Sequence, residues 1–375
     1  MALVLVAGSL RGVEAGARGH RPAGPRDRPR DRLRPRASLM GAPYTAEFYR
    51  RQCGGSRQSA REVVPALIDL VGPRSVVDVG CGVGTWLSAF VESGVTDVCG
   101  VDGDWVDPAL LEIPRSAFVG ADLTRPLALG RSFDLVLSLE VAEHLPASAA
   151  DTFVDSLAQL GPVVAFSAAV PQQGGLGHVN EQWPEYWADR FQARGYVAVD
   201  AVRPRIWTNE RVEWFYAQNL LLFARPEILA HRPRLRAELG RAAGRPLAVV
   251  HPRGHLELLE RRDRLLQAIE EIDRAVPAGE PLILVDQAEC GTLAPGRRVV
   301  PFLERDGRYW GPPADDAAAI AELGRLRRGG LRFLVFAWPA FWWLEHYSGF
   351  LQHLQATARR LLETDRVIVF DLAPA

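Results

Sequence analysis

Short apolar runs and amphipathic segments alternate along the chain between residues 75 and 224. Apolar runs bounded by glycine or polar positions are typical of buried strands, whereas apolar residues three and four positions apart indicate helices. This alternation predicts βαβ units, with a parallel sheet covered by helices on both faces. The predicted strands are 75–79, 97–101, 133–139, 163–167, 196–203 and 218–224, and the predicted helices are 85–93, 152–160 and 184–194.

A further helix is predicted just before this pattern. Ser59 is followed three residues later by Glu62 and then by the apolar run VVPALIDLV. This spacing is typical of a capping box, in which the two side chains satisfy backbone N–H groups at the first turn. We therefore expect a helix that opens at Ser59.

The pattern changes after residue 225. An arginine-rich connector with several prolines precedes a predicted helix at 255–275 and a second α/β pattern. Its predicted strands are 282–286, 299–303, 331–337 and 367–372, and its predicted helices are 315–327 and 347–362. Residues 11–36 consist mostly of Arg, Pro, Gly and Asp, a composition that predicts disorder. We therefore expect an extension at 1–39, an α/β domain at 40–228 and a smaller α/β domain at 229–375.

Composition narrows the chemistry. The chain has 375 residues and a formal net charge of −1, so it lacks the basic field of a nucleic-acid binder, and we expect no nucleic-acid partner. All 44 basic residues are arginine. The absence of lysine excludes Walker-type phosphate loops and pyridoxal phosphate enzymes. The four widely spaced cysteines form no CxxC pair, and no segment reads as a secretion signal or membrane span. A cytoplasmic protein is expected.

The stretch VVDVGCGVGTW, residues 76–86, has the spacing of a nucleotide-binding loop with one departure. Thr85 stands where the dinucleotide fingerprint GxGxxG requires its third glycine, and Asp78 precedes the glycines Gly80, Gly82 and Gly84. An acid here repels a pyrophosphate and attracts an ammonium group. The loop therefore favours S-adenosylmethionine over a dinucleotide. Asp102, with Asp104 as its alternative, follows the next strand at a position suited to ribose hydroxyls.

With these motifs the chain resembles the class I S-adenosylmethionine-dependent methyltransferase family over residues 44–224. The four matching motifs are VVDVGCGVGTW, VDGD, ADL and FDLVLSLEVAEHLP, in this order. The resemblance implies a Rossmann-like, seven-stranded sheet whose last strand is antiparallel, with the cofactor across the carboxyl ends of the first strands. It also implies that Asp78 and the loop glycines surround the methionine and adenosine, that Asp102 binds the ribose, and that Asp122 and Leu123 contact the adenine.

The acceptor chemistry is expected after the fourth and fifth strands. Glu140, Glu143 and His144 have i, i+3, i+4 spacing, and His178 follows the next strand. Two carboxylates and two imidazoles can bind a divalent cation such as Mg or Mn, which would lower the pKa of an acceptor hydroxyl. The pattern is similar to metal-dependent methyltransferases of terminal RNA ribose hydroxyls and to O-methyltransferases of quinone synthesis. The shorter gap to the last histidine and the missing basic surface argue against an RNA acceptor.

Other interpretations of these residues remain open. Glu143 and His144 could simply begin a helix while Glu140 touches the cofactor, or His144 or His178 could act as a metal-free base. In the polar loop that follows, Asn180, Glu181 and Gln182 could bind a polyhydroxylated acceptor or cap the next helix.

The second half carries no catalytic pattern. The cluster FAWPAFWWLEHYSGF, residues 336–350, suits a domain core better than a glycan-binding surface, and a metal role for His251 and His255 is unexpected. Its resemblance to domains that accompany polysaccharide-modifying enzymes is diffuse.

We therefore predict a methyltransferase that modifies an oxygen of a sugar or other polyhydroxylated small molecule or glycan, as in polysaccharide biosynthesis. The alternatives are a non-catalytic glycan-binding scaffold and an NAD-dependent oxidoreductase.

Overall fold

The computed structural model describes residues 46–175, 177–288, 290 and 296–373, with side chains from residue 55 onward. The extension predicted at 1–39 lies outside the described residues, and the described residues from 46 onward form one compact unit. Its strands are β1 Ser75–Val79, β2 Asp97–Asp102, β3 Phe118–Gly120, β4 Leu135–Leu139, β5 Val163–Ser167, β6 Val197–Val199, β7 Leu221–Ala224, β8 Leu282–Val285, β9 Val299–Pro301, β10 Glu304–Arg305, β11 Arg308–Tyr309, β12 Phe333–Ala337, β13 Arg359–Glu363 and β14 Val367–Asp371.

Twelve α-helices and five short 3-10 helices connect these strands within the described residues. The α-helices are α1 Ala46–Val71, α2 Thr85–Glu92, α3 Ala150–Leu160, α4 Pro184–Gln192, α5 Arg203–Ile206, α6 Trp214–Asn219, α7 Pro226–His231, α8 Pro233–Ala242, α9 Pro252–Ala275, α10 Asp316–Arg328, α11 Trp342–His346 and α12 Ser348–Thr357. The 3-10 helices are Pro108–Leu110, Arg115–Ala117, Ala142–His144, Ala147–Ala149 and Trp338–Ala340.

The first sheet has seven strands in the order β3-β2-β1-β4-β5-β7-β6. The first five strands of this order pair in parallel, and β7 runs antiparallel to both β5 and β6. The sequence prediction of a Rossmann-like, seven-stranded sheet with an antiparallel last strand is confirmed. Its central strands β1, β4 and β5 are buried and mostly apolar because helices cover both faces. Val76 belongs to one hydrophobic cluster, and the adjacent Val77 belongs to the cluster on the opposite face.

The capping box predicted at Ser59 is wrong. Helix α1 begins at Ala46, so Ser59 lies inside it. The Ser59 hydroxyl donates to the backbone oxygen of Gly55, at 2.8 Å, and accepts from the backbone N–H of Glu213, at 3.0 Å. The Ser59 hydroxyl therefore ties α1 to the segment before α6, a long-range contact that local spacing does not reveal.

The second sheet has five strands in the order β13-β14-β12-β8-β9. All four strands predicted here are present, but the helix predicted at 347–362 ends at Thr357 and is followed by β13. β13 pairs antiparallel with β14, at the edge of the sheet. A short strand at this edge gains ladder hydrogen bonds that a longer helix would lose. The pattern of hydrophobic residues alone does not distinguish the two outcomes.

The aromatic cluster of the second half forms core, as its composition indicated. Trp343 and Phe350 are fully buried with Phe302, and the Tyr347 hydroxyl donates to the backbone oxygen of Pro313 at 2.7 Å. Among the described residues, no helix combines the length and the apolar character needed to span a bilayer.

The packing of the first sheet continues past the predicted boundary at 228/229. Leu229 of α7 and Leu235 of α8 belong to the same hydrophobic cluster as Val76. His251, the N-cap of α9, is also buried, and its Nε2 lies 2.8 Å from the backbone oxygen of Trp207. The connector after residue 225 thus packs as part of the first half.

Candidate functional site

The glycine loop joins the end of β1 to the start of α2. Gly80 and Gly84 both have left-handed backbones, with φ of +89° and +88°. A Cβ atom on Gly80 would lie 2.3 Å from the side chain of Val141, so only glycine fits there. The backbone N–H groups of Gly80 and Cys81 donate to the carbonyl of Val101, at 2.7 and 3.1 Å. The loop is therefore fixed against the end of β2.

Asp102 follows β2 and holds the same loop. Its carboxylate accepts from the backbone N–H groups of Gly82 and Gly103, at 2.7 and 2.6 Å. Burial raises its pKa, while both hydrogen bonds act in the opposite direction. The ribose role of Asp102 stays a prediction. Asp104, the alternative acid, is exposed.

Asp78 lies at the end of β1 and is only 2% exposed. Burial, followed by the charge of Asp102, raises its pKa to about 7. Two acidic groups so close together in a buried site favour a cationic ligand. The ammonium group of S-adenosylmethionine satisfies this requirement, and the residues around the glycine loop fit that cofactor.

Asp122 and Leu123 differ in their surroundings. Leu123 is buried in the cluster that contains Val77. Asp122 is exposed, and its Oδ1 accepts from the backbone N–H and the hydroxyl of Thr124, at 3.0 and 2.6 Å. These bonds lower the pKa of Asp122 and stabilise the turn after β3. The adenine role of both residues stays a prediction.

Three of the four predicted metal ligands come together after β4 and β5. Glu143 and His144 lie on the 3-10 helix Ala142–His144, and the loop with His178 is attached to it. The backbone N–H groups of Val179 and Asn180 donate to the carbonyl of Glu143, at 2.8 and 3.0 Å. Ligand atoms of Glu143, His144 and His178 all lie within 4.8 Å of one another.

The electrostatics of this group are unusual. Glu143 is 0% exposed, and neither of its carboxylate oxygens has a hydrogen-bond partner among the described residues. Burial, followed by the charge of Glu140, raises the pKa of Glu143 well above its usual range. Burial and the charge of His178 lower the pKa of His144 to about 4, so His144 is neutral at pH 7. A cation placed here would give the Glu143 carboxylate the opposite charge that it lacks.

His178 is oriented by a neighbouring acid. Its Nδ1 lies 2.9 Å from Oε1 of Glu181. A carboxylate on one ring nitrogen directs the other nitrogen toward a ligand, an arrangement common around metal-binding histidines. Two imidazoles and a carboxylate suit Mn²⁺ better than Mg²⁺, which prefers oxygen donors. The residues therefore fit a divalent cation.

Glu140 is not part of this set of mutually close ligand atoms, and its role as a metal ligand stays a prediction. No α-helix begins here, and Glu140 itself has a left-handed backbone with φ of +55°. Its carboxylate accepts from the amides of Gln173 and Asn219, at 3.0 and 3.2 Å. These amides hold the carboxylate of Glu140 beside the set, where its charge still raises the pKa of Glu143.

The side chains of the polar loop after β5 make different contacts. Both oxygens of Glu181 are engaged within the loop, by His178 and by the backbone N–H groups of Gln172 and Gly174. Asn180 is buried, and its Nδ2 has no hydrogen-bond partner among the described residues. None of these side chains caps α4, whose N-cap is Trp183. Asn180 is thus a candidate acceptor ligand, whereas Glu181 orders the loop.

Sequence reasoning missed three polar residues in the network around Glu140. They are the half-buried Gln173 and the buried Gln218 and Asn219. The only signal was two adjacent amides, Gln218 and Asn219, directly before the apolar run of β7. No further group of metal-ligating side chains occurs among the described residues.

Comparison with known proteins gives one family match. Residues 48–209 match the family model described as "Methyltransferase domain". No curated protein matches the chain.

Similar solved structures include three methyltransferases. The sugar N-methyltransferase KedS8 from Streptoalloteichus is 17% identical, with 55% of this chain and 99% of that chain covered and a TM-score of 0.38. Magnesium protoporphyrin IX methyltransferase from Synechocystis is 20% identical, with 48% and 89% covered and a TM-score of 0.37. The amino pentose methyltransferase CalS10 from Micromonospora echinaspora is 16% identical, with 48% and 98% covered and a TM-score of 0.35.

Proposed function

We propose that this chain is an S-adenosylmethionine-dependent methyltransferase, as the match of residues 48–209 to the methyltransferase domain model supports, and that it methylates a hydroxyl of a polyhydroxylated small molecule or glycan. The observation that carries this proposal is the group formed by the buried Glu143 with the half-buried His144 and His178 at the carboxyl edge of the first sheet. A hydroxyl must lose its proton when it accepts a methyl group, and this group offers the means.

The glycine loop and its acids hold the cofactor in this proposal. Asp78 attracts the ammonium of the methionine part, and Asp102 accepts from ribose hydroxyls while it anchors Gly82. Leu123 and Asp122 border the adenine. When bound, S-adenosylmethionine supplies an activated methyl group, and the protein has to align the acceptor oxygen with it.

The group of Glu143, His144 and His178 acts on the acceptor hydroxyl. We propose that these three side chains hold a divalent cation, which would lower the pKa of that hydroxyl. The O–H bond breaks as the new O–CH₃ bond forms, and the products are a methyl ether, S-adenosylhomocysteine and a proton. His144 is neutral at pH 7 and is therefore the group that would accept this proton in the absence of a cation.

Two features of the polar loop after β5 support a sugar as the acceptor. The buried Nδ2 of Asn180 is available to donate a hydrogen bond. Trp183, at the end of the same loop, is 43% exposed and offers an aromatic face of the kind that stacks on sugar rings. No observation favours the nicotinamide alternative, because Thr85 and Asp78 both oppose a pyrophosphate.

The test is an assay of S-adenosylhomocysteine formation. Purified protein is incubated with S-adenosylmethionine and a panel of methyl glycosides, with added Mn²⁺ and after chelation. We expect turnover of at least one glycoside and its loss on chelation. Turnover that persists after chelation would instead make His144 a metal-free base. An absence of turnover with every glycoside, despite cofactor binding, would contradict the proposed acceptor class.

A further inference from the structure

A chain of buried amides connects Glu140 to the start of α9. Gln218 and Asn219, at the end of α6, are 2% and 4% exposed, and His251, the N-cap of α9, is 4% exposed. Buried amides of this kind are found where every donor and acceptor is used. The direction of each bond in this chain can be established from the backbone.

The first fixed point is the backbone N–H of His251, which can only donate. It donates to Oε1 of Gln218 at 2.8 Å, so Nε2 of Gln218 must face the other way. That nitrogen lies 3.0 Å from Oδ1 of Asn219 and 3.4 Å from Oε1 of Gln173. Because Oδ1 of Asn219 accepts this bond, its Nδ2 is directed at Glu140.

The second fixed point is the backbone N–H of Val170, which donates to Oε1 of Gln173 at 3.2 Å. Nε2 of Gln173 then donates to Oε2 of Glu140 at 3.0 Å, and Nδ2 of Asn219 donates to Oε1 of Glu140 at 3.2 Å. Both carboxylate oxygens of Glu140 therefore accept hydrogen bonds from amide donors. Burial raises the pKa of Glu140, and these hydrogen bonds act in the opposite direction.

The backbone of Glu140 is held just as firmly. Its N–H donates to the carbonyl oxygen of Ser167 at 3.0 Å and approaches the Ser167 hydroxyl at 3.1 Å. The left-handed φ of +55° costs free energy for a residue with a Cβ atom, and such strain is concentrated at functional sites. Glu140 is only partly buried, so a ligand can reach it.

Glu140 also lies between the two halves of the proposed site. Burial is the main cause of the raised pKa of Tyr216, and the charges of Glu140 and Asp78 both add to it. The charge of Glu140 likewise reaches Glu143, and the charge of His178 reaches Glu140. The carboxylate is thus close both to the cofactor side and to the side that receives the proton.

We propose that Glu140 binds a second hydroxyl of the acceptor, next to the one that is methylated, and that Gln218 is its positioning residue. A carboxyl group that accepts from only two amide donors keeps lone pairs for a further O–H group. The start of α9 thereby takes part in acceptor choice, through His251 and Gln218. This inference rests on the proposed function, since it specifies an acceptor with neighbouring hydroxyls.

The test combines one substitution with one change of acceptor. In Gln218→Glu, one carboxylate oxygen still accepts from the backbone N–H of His251. The other oxygen replaces the nitrogen that faces Asn219 and Gln173, so the directions of the hydrogen bonds along the chain of amides must reverse. Gln192→Glu, at an exposed site on α4, is the matched control. The acceptors are the methyl glycoside that the wild type uses best and its deoxy analogues, each lacking one hydroxyl.

With the full glycoside, we expect Gln218→Glu to lower kcat/KM about 30-fold, because it removes a hydrogen bond to a charged group. With the deoxy analogue that lacks the bound hydroxyl, the wild type should lose a similar factor and the variant little more. Affinity for S-adenosylmethionine should change less than about threefold. If Gln218→Glu does not fold, Gln218→Met, which preserves the volume, takes its place.

Three outcomes would overturn the inference. Unchanged activity of both Gln218 variants, or an equal loss with all acceptors, would overturn the role of Glu140 and leave the methyltransferase proposal standing. An absence of turnover by the wild type with every glycoside would overturn the acceptor class itself, and the role of Glu140 with it.

Discussion

Replacing Asp78 by asparagine should change the stability of this protein and its affinity for the cofactor in opposite directions. The carboxylate is buried beside Asp102, and its pKa is raised from 3.8 to about 7. Above its folded-state pKa the buried group must carry a charge, whereas in the unfolded chain it ionises in water. Asp78→Asn is therefore expected to stabilise the protein at alkaline pH and to weaken S-adenosylmethionine binding.

Proton linkage gives the sign and the size of the change in the free energy of unfolding with pH. Between about pH 4 and pH 7 the folded protein holds a proton on Asp78 that the unfolded chain releases, so the free energy of unfolding falls as the pH rises. This loss of unfolding free energy is absent below the pKa of Asp78 in the unfolded chain and complete above its pKa in the folded protein. The shift from 3.8 to about 7 corresponds to a total of about 4 kcal/mol.

Urea unfolding across this pH range measures the effect. The stability of Asp78→Asn relative to the wild type should rise by about 4 kcal/mol between about pH 4 and about pH 8. Asp189→Asn, at an exposed site on α4, serves as control and should show no comparable trend. A stability difference that does not vary with pH would refute the reasoning about Asp78.

Cofactor binding gives an independent readout of the same group. At about pH 6.5, an acid with a pKa of about 7 is roughly three-quarters protonated, and an ammonium ligand displaces that proton. Calorimetric titration with S-adenosylmethionine in buffers of different ionisation enthalpy should thus reveal release of about 0.8 proton. Asp78→Asn should bind more weakly and release none. Equal proton release by both proteins would remove Asp78 from the cofactor site.

Three further variants test the remaining parts of the site. Asp102→Asn should weaken S-adenosylmethionine binding at least about tenfold by calorimetry, since a charged acceptor of ribose hydroxyls is lost; unchanged affinity would move the ribose contact elsewhere. Glu143→Gln should weaken Mn²⁺ binding at least about tenfold by electron paramagnetic resonance while cofactor affinity is retained, and equal Mn²⁺ affinity would argue against the cation. Gly80→Ala should destabilise the fold by about 1–3 kcal/mol in urea unfolding, because a Cβ there meets Val141 in a left-handed conformation; full stability would show that the loop tolerates a side chain.

Local sequence signals predicted the strand and the glycine turn on which the proposed cofactor residues lie. The strand before Asp78, the glycine turn and the acid after β2 are all encoded within a few residues of one another. Strand β1, for example, has the predicted limits Ser75–Val79. Apolar runs between glycines leave few alternatives to buried strands in such a pattern.

Long-range contacts account for most of what the sequence did not reveal. Glu140 has the spacing of a metal ligand, but amides 33 and 79 positions away along the chain determine where its carboxylate lies. The Ser59 hydroxyl and the strand β13 likewise have distant partners: the backbone N–H of Glu213 donates to Ser59, and β14 pairs with β13. A pattern confined to neighbouring positions contains no information about such contacts.

Mass spectrometry of the acceptor after incubation with methyl-deuterated S-adenosylmethionine tests the central proposal most directly. Fragmentation of the product identifies the atom that carries the deuterated methyl group. We expect that group on a single oxygen of a methyl glycoside, with none transferred by His144→Ala. A deuterated methyl group on nitrogen, or undiminished transfer by His144→Ala, would contradict the hydroxyl chemistry proposed for Glu143, His144 and His178.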